Sequence, residues 1–84
     1  MQVNFNQFVT DSFYDKCMGG KKTVFEFPNN YGASIISFDN GAFEIAVLKN
    51  KAITYDTIIT NDVVVCNDKN EVFKILHSIY ELKN

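Results

Sequence analysis

The sequence contains no arginine and no tryptophan, and it has only one proline and one histidine. Because the planar guanidinium of arginine is the side chain best suited to bidentate contacts with phosphates and base edges, its absence argues against nucleic-acid recognition. Eight lysines and ten acidic residues leave a net charge of −2. An acidic balance also opposes non-specific binding to phosphates and to anionic membranes. We therefore expect no direct nucleic-acid partner and no membrane partner.

Cysteine and histidine are also scarce. Cys17 and Cys66 are far apart and form no CxxC motif of the kind found in redox or zinc sites. Two buried free thiols in a reducing cytoplasm are the simplest interpretation, with a single disulfide as the alternative. His77 has no partner at metal-ligand spacing, and no P-loop, GxSxG or GxGxxG motif occurs. The sequence thus predicts no catalytic residue, no metal site and no cofactor.

The length and the hydrophobic content predict one small globular domain over residues 1–84. Hydrophobic residues make up 46% of the chain, and eight Phe with four Tyr supply much of the material for a compact core. The first residues, MQVNFNQFVT, contain no apolar run long enough for a signal peptide or a membrane span. We therefore expect a soluble protein of the cytoplasm.

The two ends of the chain have the hydrophobic spacing of helices. Apolar residues in NFNQFVTDSFYDKCMGG lie on one broad face at a period of 3.6, and the two glycines would end the helix. An extended start up to Phe5 is the alternative. Near the C-terminus, Asp68 and Glu71 have the spacing of a capping box, with Asn67 as an alternative N-cap. The apolar stripe of that second helix comprises Val72, Ile75, Leu76, Ile79, Tyr80 and Leu82.

The middle of the chain predicts antiparallel strands. KTVFEFP alternates and ends at Pro28, and Asn40-Gly41 is a strong signal for a type I′ hairpin. That turn would pair Phe38 with Phe43, so that one side of the ribbon carries Ile36, Phe38, Phe43, Ile45 and Val47. A three-residue loop at 49–51 would pair Val47 with Ile53 and Ile45 with Tyr55, and Val63–Cys66 would be a short last strand.

The predicted fold class is therefore α+β, in the order α-β-β-β-(β)-α. An antiparallel sheet of three to four strands would carry two helices on one face.

One polar cluster remains after the core is assigned, in the segment YDTIITNDVV that begins at Tyr55. Its structural interpretation is a turn in which Asp56 and Thr57, and then Asn61 and Asp62, bind nearby backbone N–H groups. Its functional interpretation is a surface for a protein partner, with Tyr31, Tyr55, Asp56, Thr57 and Asp62 as the candidate partner-binding residues. A small enzyme built on Asp56, Asp62 and His77 is the weakest alternative.

Three stretches, FEFPNNYGASII, FEIAVLKN and ITYDTIITNDV, resemble a family of small uncharacterised proteins of tailed bacteriophages and prophages. The family pattern runs FPNGYGAS, FELAVL and YDTPITDDV, and the match covers about residues 24–73. This chain departs from the pattern at Asn30, Ile58 and Asn61, where the family has Gly, Pro and Asp.

The resemblance implies a phage accessory protein that works in the cytoplasm of the host bacterium. We expect a non-enzymatic monomer or homodimer that binds and modulates a bacterial protein. One form of this function is an inhibitor of a host defence system, similar to anti-CRISPR proteins, that blocks a defence nuclease complex. The alternative is a self-assembling accessory protein with no host target.

Overall fold

The protein is an antiparallel β-meander followed by one helix. The computed structural model describes residues 3–55, 57–60 and 62–83. Within them lie a turn of 3-10 helix (Phe5–Phe8), strands β1 (Val9–Asp15), β2 (Gly20–Glu26), β3 (Tyr31–Phe38), β4 (Phe43–Lys49), β5 (Ala52–Ile53) and β6 (Val64–Cys66), and helix α1 (Lys69–Tyr80). Strands β1 to β5 pair in chain order, and β6 returns to pair with β4 beside β5. The α+β class is confirmed, but the described residues form six strands and one α-helix.

The predicted first helix is wrong. Its residues form the short 3-10 turn and then β1, which pairs with β2 from Val9 opposite Phe25 to Asp15 opposite Gly20. The segment is rich in Val, Thr, Phe and Tyr, which fit the pleated surface of a strand, and pairing with β2 satisfies one side of its backbone. Phe5 and Phe8 nevertheless pack against the core, so the helical spacing found core residues while misidentifying their conformation.

The β3–β4 hairpin differs from its prediction by one residue. Phe38 N donates to Ala42 O (2.9 Å), which leaves a three-residue loop in which only Gly41 has a positive φ (92°). Asn40 keeps a negative φ because its side-chain Oδ1 accepts from Ala42 N in a type I turn. Ile35 rather than Ile36 therefore lies opposite Ile45, and the predicted inward side was partly wrong.

The next hairpin carries the two-residue type I′ turn instead. Asn50 and Lys51 both have positive φ, at 51° and 72°, and Lys49 pairs directly with Ala52. The predicted three-residue loop is therefore wrong, and Ile53 pairs with Leu48 instead of Val47. The β2–β3 turn matches the β3–β4 turn: it has three loop residues, with the positive φ (70°) at Asn30.

The core lies on one face of the sheet, here called the core face. Phe25, Ala33, Ile35, Ile45 and Val47 line it, and Leu76 and Ile79 of α1 with Phe5 of the 3-10 turn cover it. The predicted stripe of α1 is confirmed, and so is Asp68 as its N-cap, but the return bond of Glu71 goes to the residue before the cap. Asp68 accepts from Glu71 N (2.9 Å), and Glu71 accepts from Asn67 N (3.3 Å). No helix in the described part of the chain is long and apolar enough to cross a membrane.

The opposite face of the sheet, here called the open face, carries a second set of side chains. The 3-10 turn and α1 both lie on the core face, because their buried side chains belong to its cluster. One row of paired residues crosses the open face through five strands: Phe13, Lys22, Ile36, Glu44 and Val65. Val24, Ser34, Ala46, Leu48 and Ile53 share that face. It is thus a mixture of apolar and charged side chains without a helix above it.

Candidate functional site

A groove of about 600 Å³ lies between the segment after β5 and the C-terminal end of α1. We call it the loop–helix groove. Two of the predicted partner-binding residues, Tyr31 and Thr57, line it. The described residues that line it are Tyr31, Thr57, Ile58, Ser78, Glu81, Leu82 and Lys83.

The wall formed by α1 is fixed by one asparagine of the β2–β3 turn. The side-chain amide of Asn29 donates to the carbonyl oxygens of Ile79 (2.9 Å), Tyr80 (3.0 Å) and Leu82 (2.9 Å). Its Oδ1 accepts from Tyr31 N at 3.0 Å. Because the last carbonyls of a helix have no partner within the helix, this amide holds the helix end against the turn. The same turn leads directly to Tyr31, so Asn29 joins the wall formed by α1 to Tyr31.

The wall formed by the loop is organised by the hydroxyl of Thr57. That hydroxyl accepts from Ile59 N and Thr60 N, both at 3.3 Å, and donates to Thr60 O at 3.2 Å. The hydroxyl of Thr60 in turn accepts from Asp62 N at 3.0 Å. The structural interpretation of this segment is therefore confirmed for Thr57. For Asp62 the backbone is held by a threonine hydroxyl rather than by its own carboxylate.

The turn projects one large apolar side chain into solvent. Ile58 is 94% exposed, more than any other large hydrophobic residue described, while its neighbour Ile59 packs against the core. Leaving an isoleucine in water is common for a single residue, but this one borders a groove and is held on a hydrogen-bonded turn. Sequence reasoning missed Ile58 as a contact residue, although its place in the resembled pattern, where proline was expected, had singled it out.

The predicted partner-binding residues do not all meet at the groove. Tyr31 is buried and presents only part of its ring, over which Lys49 Nζ lies 5.5 Å from the centroid. Tyr55 is 54% exposed and Asp62 is exposed, but neither lines the groove. Asp56 and Asn61 lie outside the described residues.

The described groups considered for catalysis or metal binding are His77, Asp62 and the two cysteines. His77 is half-exposed on α1, where its Nδ1 lies 3.1 Å from Glu81 Oε1 and its ring contacts Phe5 and Tyr80. Among residues 3–55, 57–60 and 62–83, no three His, Cys, Asp or Glu side chains are grouped so as to hold a metal ion. The described part of the groove accordingly presents contact surface and hydrogen-bonding groups.

Both cysteines are free thiols, in different environments. Cys66 is buried beside α1, and burial, followed by the charges of Glu71 and Asp68, raises the pKa of its thiol. Cys17 is exposed in the β1–β2 turn, so the expectation of two buried thiols is wrong for Cys17. A raised pKa and burial both make Cys66 a poor nucleophile.

A second polar contact lies at the far end of the sheet. Tyr14 donates its hydroxyl to Asp39 Oδ2 at 2.9 Å, and this bond raises the pKa of the Tyr14 phenol. The contact joins the β1–β2 hairpin to the β3–β4 turn at the surface.

Comparison with protein-family models, with curated proteins and with solved structures finds no match for this chain. The phage resemblance therefore stays a prediction, and the functional argument depends on the geometry described above.

Proposed function

We propose that this protein binds and modulates a bacterial protein, and that the loop–helix groove with its projecting Ile58 is the contact site. The observation that supports the proposal most strongly is the 94% exposure of Ile58 on a turn fixed by three hydrogen bonds of Thr57. An apolar anchor that is already held in position loses little conformational freedom on binding. The bacterial origin of the partner is taken from the resemblance to phage proteins.

The chemistry around the anchor suits a protein surface. Ile58 and Leu82 supply apolar area, Ser78 and Thr57 supply hydroxyls, and Glu81 and Lys83 supply one charge of each sign. Tyr55, exposed and two residues before Thr57, adds an amphipathic ring of the kind enriched in interfaces. Apolar, aromatic and hydrogen-bonding side chains together are what protein interfaces use.

The contact site can be tested by affinity capture from lysate of the host bacterium. Tagged protein is expected to recover one specific bacterial protein, identified by mass spectrometry, and Ile58→Asp is expected to abolish the recovery. Met18→Asp is the matched control, because Met18 is also an exposed apolar side chain in a turn but lies at the β1–β2 end of the sheet. Equal recovery with Ile58→Asp would refute the site, and recovery of no specific protein would refute the function.

A narrower form of the proposal is inhibition of a defence nuclease by occupying its nucleic-acid channel. The net charge of −2 gives this form its support, since a basic channel favours an acidic protein. The dissociation constant of the captured complex, measured across a salt series, is then expected to rise steeply with ionic strength. Binding that does not change with salt would eliminate the channel-blocking form while leaving the wider proposal standing.

A further inference from the structure

The central row of the open face has apolar side chains at its ends and centre, with opposite charges on the two sides of the centre. Phe13 and Val65 stand at its ends, Lys22 and Glu44 flank the middle, and Ile36 is the centre. The end residues are exposed, at 43% for Phe13 and 63% for Val65, while Ile36 between the two charged side chains is only 8% exposed. The order apolar, cation, apolar, anion, apolar is what a self-complementary surface requires.

We propose that the open face binds the open face of a second copy, with a two-fold axis that runs parallel to β3. Rotation about that axis places the β1–β2 half of one sheet over the β4–β6 half of the other. Strand β2 of one copy therefore lies over β4 of its partner. Lys22 of each copy then lies opposite Glu44 of its partner, and Phe13 lies opposite Val65. Ile36, which is only 8% exposed, lies at the axis between the two charged pairs. Sheets that pack face to face lie about 10 Å apart, a distance that Lys and Glu side chains span together.

The same pairing excludes the other simple arrangement. A two-fold axis along the central row would place Lys22 over Lys22 and Glu44 over Glu44, which is repulsive. With the axis parallel to β3, the neighbouring row also matches, because Val24 of one copy lies opposite Ala46 of the other. Charge complementarity therefore selects a second copy as the occupant and selects its orientation.

The size of the open face indicates the strength of this dimer. Four spacings of about 4.8 Å across five strands and six rises of about 3.4 Å along a strand give a face of about 19 by 20 Å. That is an area of about 380 Å², roughly half of the about 800 Å² that each partner of a standard specific interface buries. We therefore expect weak, reversible association, with a dissociation constant on the order of 100 µM.

The dimer does not depend on the proposed host partner. The open face and the groove are formed by different residues, and α1, which supplies one wall of the groove, lies on the core face. Each copy in the dimer would keep its groove accessible. The protein would then present two identical contact sites to its target.

The test is sedimentation velocity from about 1 to 500 µM at about 50 mM salt, with charge-reversal variants. Lys22→Glu and Glu44→Lys are each expected to raise the dissociation constant tenfold or more, because each creates two like-charge contacts. An equimolar mixture of the two variants is expected to form a heterodimer, since all four charges are then complementary. The double variant Lys22→Glu/Glu44→Lys is expected to dimerise like the original protein.

Lys21→Glu is the matched control, since it makes the same charge change on the same strand but on the other face, and it should leave the dissociation constant unchanged. Circular dichroism of each variant establishes that it is folded. A wild-type protein that stays monomeric up to about 500 µM would overturn the proposal. A wild-type dimer that Lys22→Glu does not weaken would also overturn it, and would point to pairing of the exposed β1 edge instead.

Discussion

Replacement of Asn29 tests whether one side chain holds α1 against the sheet. Asn29→Ala removes the amide that contacts the carbonyls of Ile79 and Tyr80 in α1 and of Leu82 just beyond it, and also the Oδ1 that accepts from Tyr31 N. The amide has two protons, so the loss corresponds to about three hydrogen bonds at a net value of about 1 kcal/mol each. Because the site is only partly buried, water can satisfy some of the carbonyls. We expect the free energy of unfolding to fall by about 2–3 kcal/mol.

Asn29→Asp separates the loss of a donor from the loss of shape. A carboxylate has nearly the size of the amide, so the shape of the side chain is kept. Its second oxygen would replace the amide nitrogen and face the carbonyl oxygens of Ile79, Tyr80 and Leu82, which repel it at the negative end of the helix dipole. This variant should be less stable than Asn29→Ala at pH 7. Since the folded state raises the pKa of the new carboxyl, the folded state binds the proton more tightly. The stability lost at pH 7 should therefore return as the pH falls towards about 4.

The assay is urea unfolding followed by circular dichroism. With a slope of about 1 kcal/mol per molar urea, Asn29→Ala should lower the midpoint by about 2–3 M. Asn40→Ala is the matched control. Asn40 Oδ1 accepts from the backbone N–H two residues later, as Asn29 Oδ1 does, but among the described residues Asn40 does not bind α1. This variant should cost about 1 kcal/mol. Equal losses for the two variants, or an Asn29→Asp protein as stable as Asn29→Ala, would refute the reasoning.

Four further outcomes are expected. Gly32→Ala should lower the free energy of unfolding by several kcal/mol, because its Cβ would lie 2.1 Å from a β2 carbonyl oxygen. Gly41→Ala has no atom within 4 Å of its Cβ but a φ of 92°, and it should cost about 1–2 kcal/mol. The midpoints of urea unfolding compare the two variants. A chromogenic thiol reagent should react rapidly with Cys17 and with Cys66 only when the protein unfolds. The absorbance of the chromophore that the reagent releases measures both reactions. Because the pKa of Cys66 is raised above its ordinary 9.0, its thiol stabilises the fold below that pH, and this stability is lost as the pH rises through the folded pKa. The free energy of unfolding should therefore fall with pH in the alkaline range, and this dependence should be weaker in Cys66→Ala. Asp68→Ala should cost about 1 kcal/mol in thermal unfolding.

The elements that the sequence predicted well are those whose local signals agree with their tertiary surroundings. Helix α1 has the spacing of a capping box and an apolar stripe that both point to one conformation, and β2 alternates cleanly up to Pro28. In β1, by contrast, exposure on both faces removes the alternation that would have marked a strand. The spacing of its aromatic residues then imitated a helix, and only pairing with β2, a long-range interaction, decided its conformation.

The hairpin registers depended on which residues accept a positive φ. Asn40-Gly41 has the preferred composition for a type I′ turn, yet the side chain of Asn40 binds Ala42 N and leaves the positive φ to Gly41 alone. Asn50-Lys51, with no glycine, adopts the type I′ turn because the pairing of β4 with β5 requires it. Each error moved a strand by one residue, which exchanges the two faces of the sheet. That is why the row on the open face could not be read from the sequence.

The residues of the loop–helix groove were predicted only in part. The side-chain chemistry of Thr57 indicated a turn, and the turn is there. The exposure of Ile58 could not be predicted, because the alternation of inward and outward side chains holds in strands and not in a loop. Asn29 was recognised only as a turn residue, since its helix partners lie about 50 residues away in the sequence.

The bond between Asn29 and the end of α1 also has a consequence for the order in which the chain folds. Strands β1 to β4 are joined by loops of three or four residues, so their pairing requires little loop closure, whereas docking of α1 closes a loop of about 50 residues. We expect the meander to form first and the helix to dock last. Amide protons of β2 and β3 should then gain protection in pulsed hydrogen exchange before those of α1, and simultaneous protection would contradict this sequence of events.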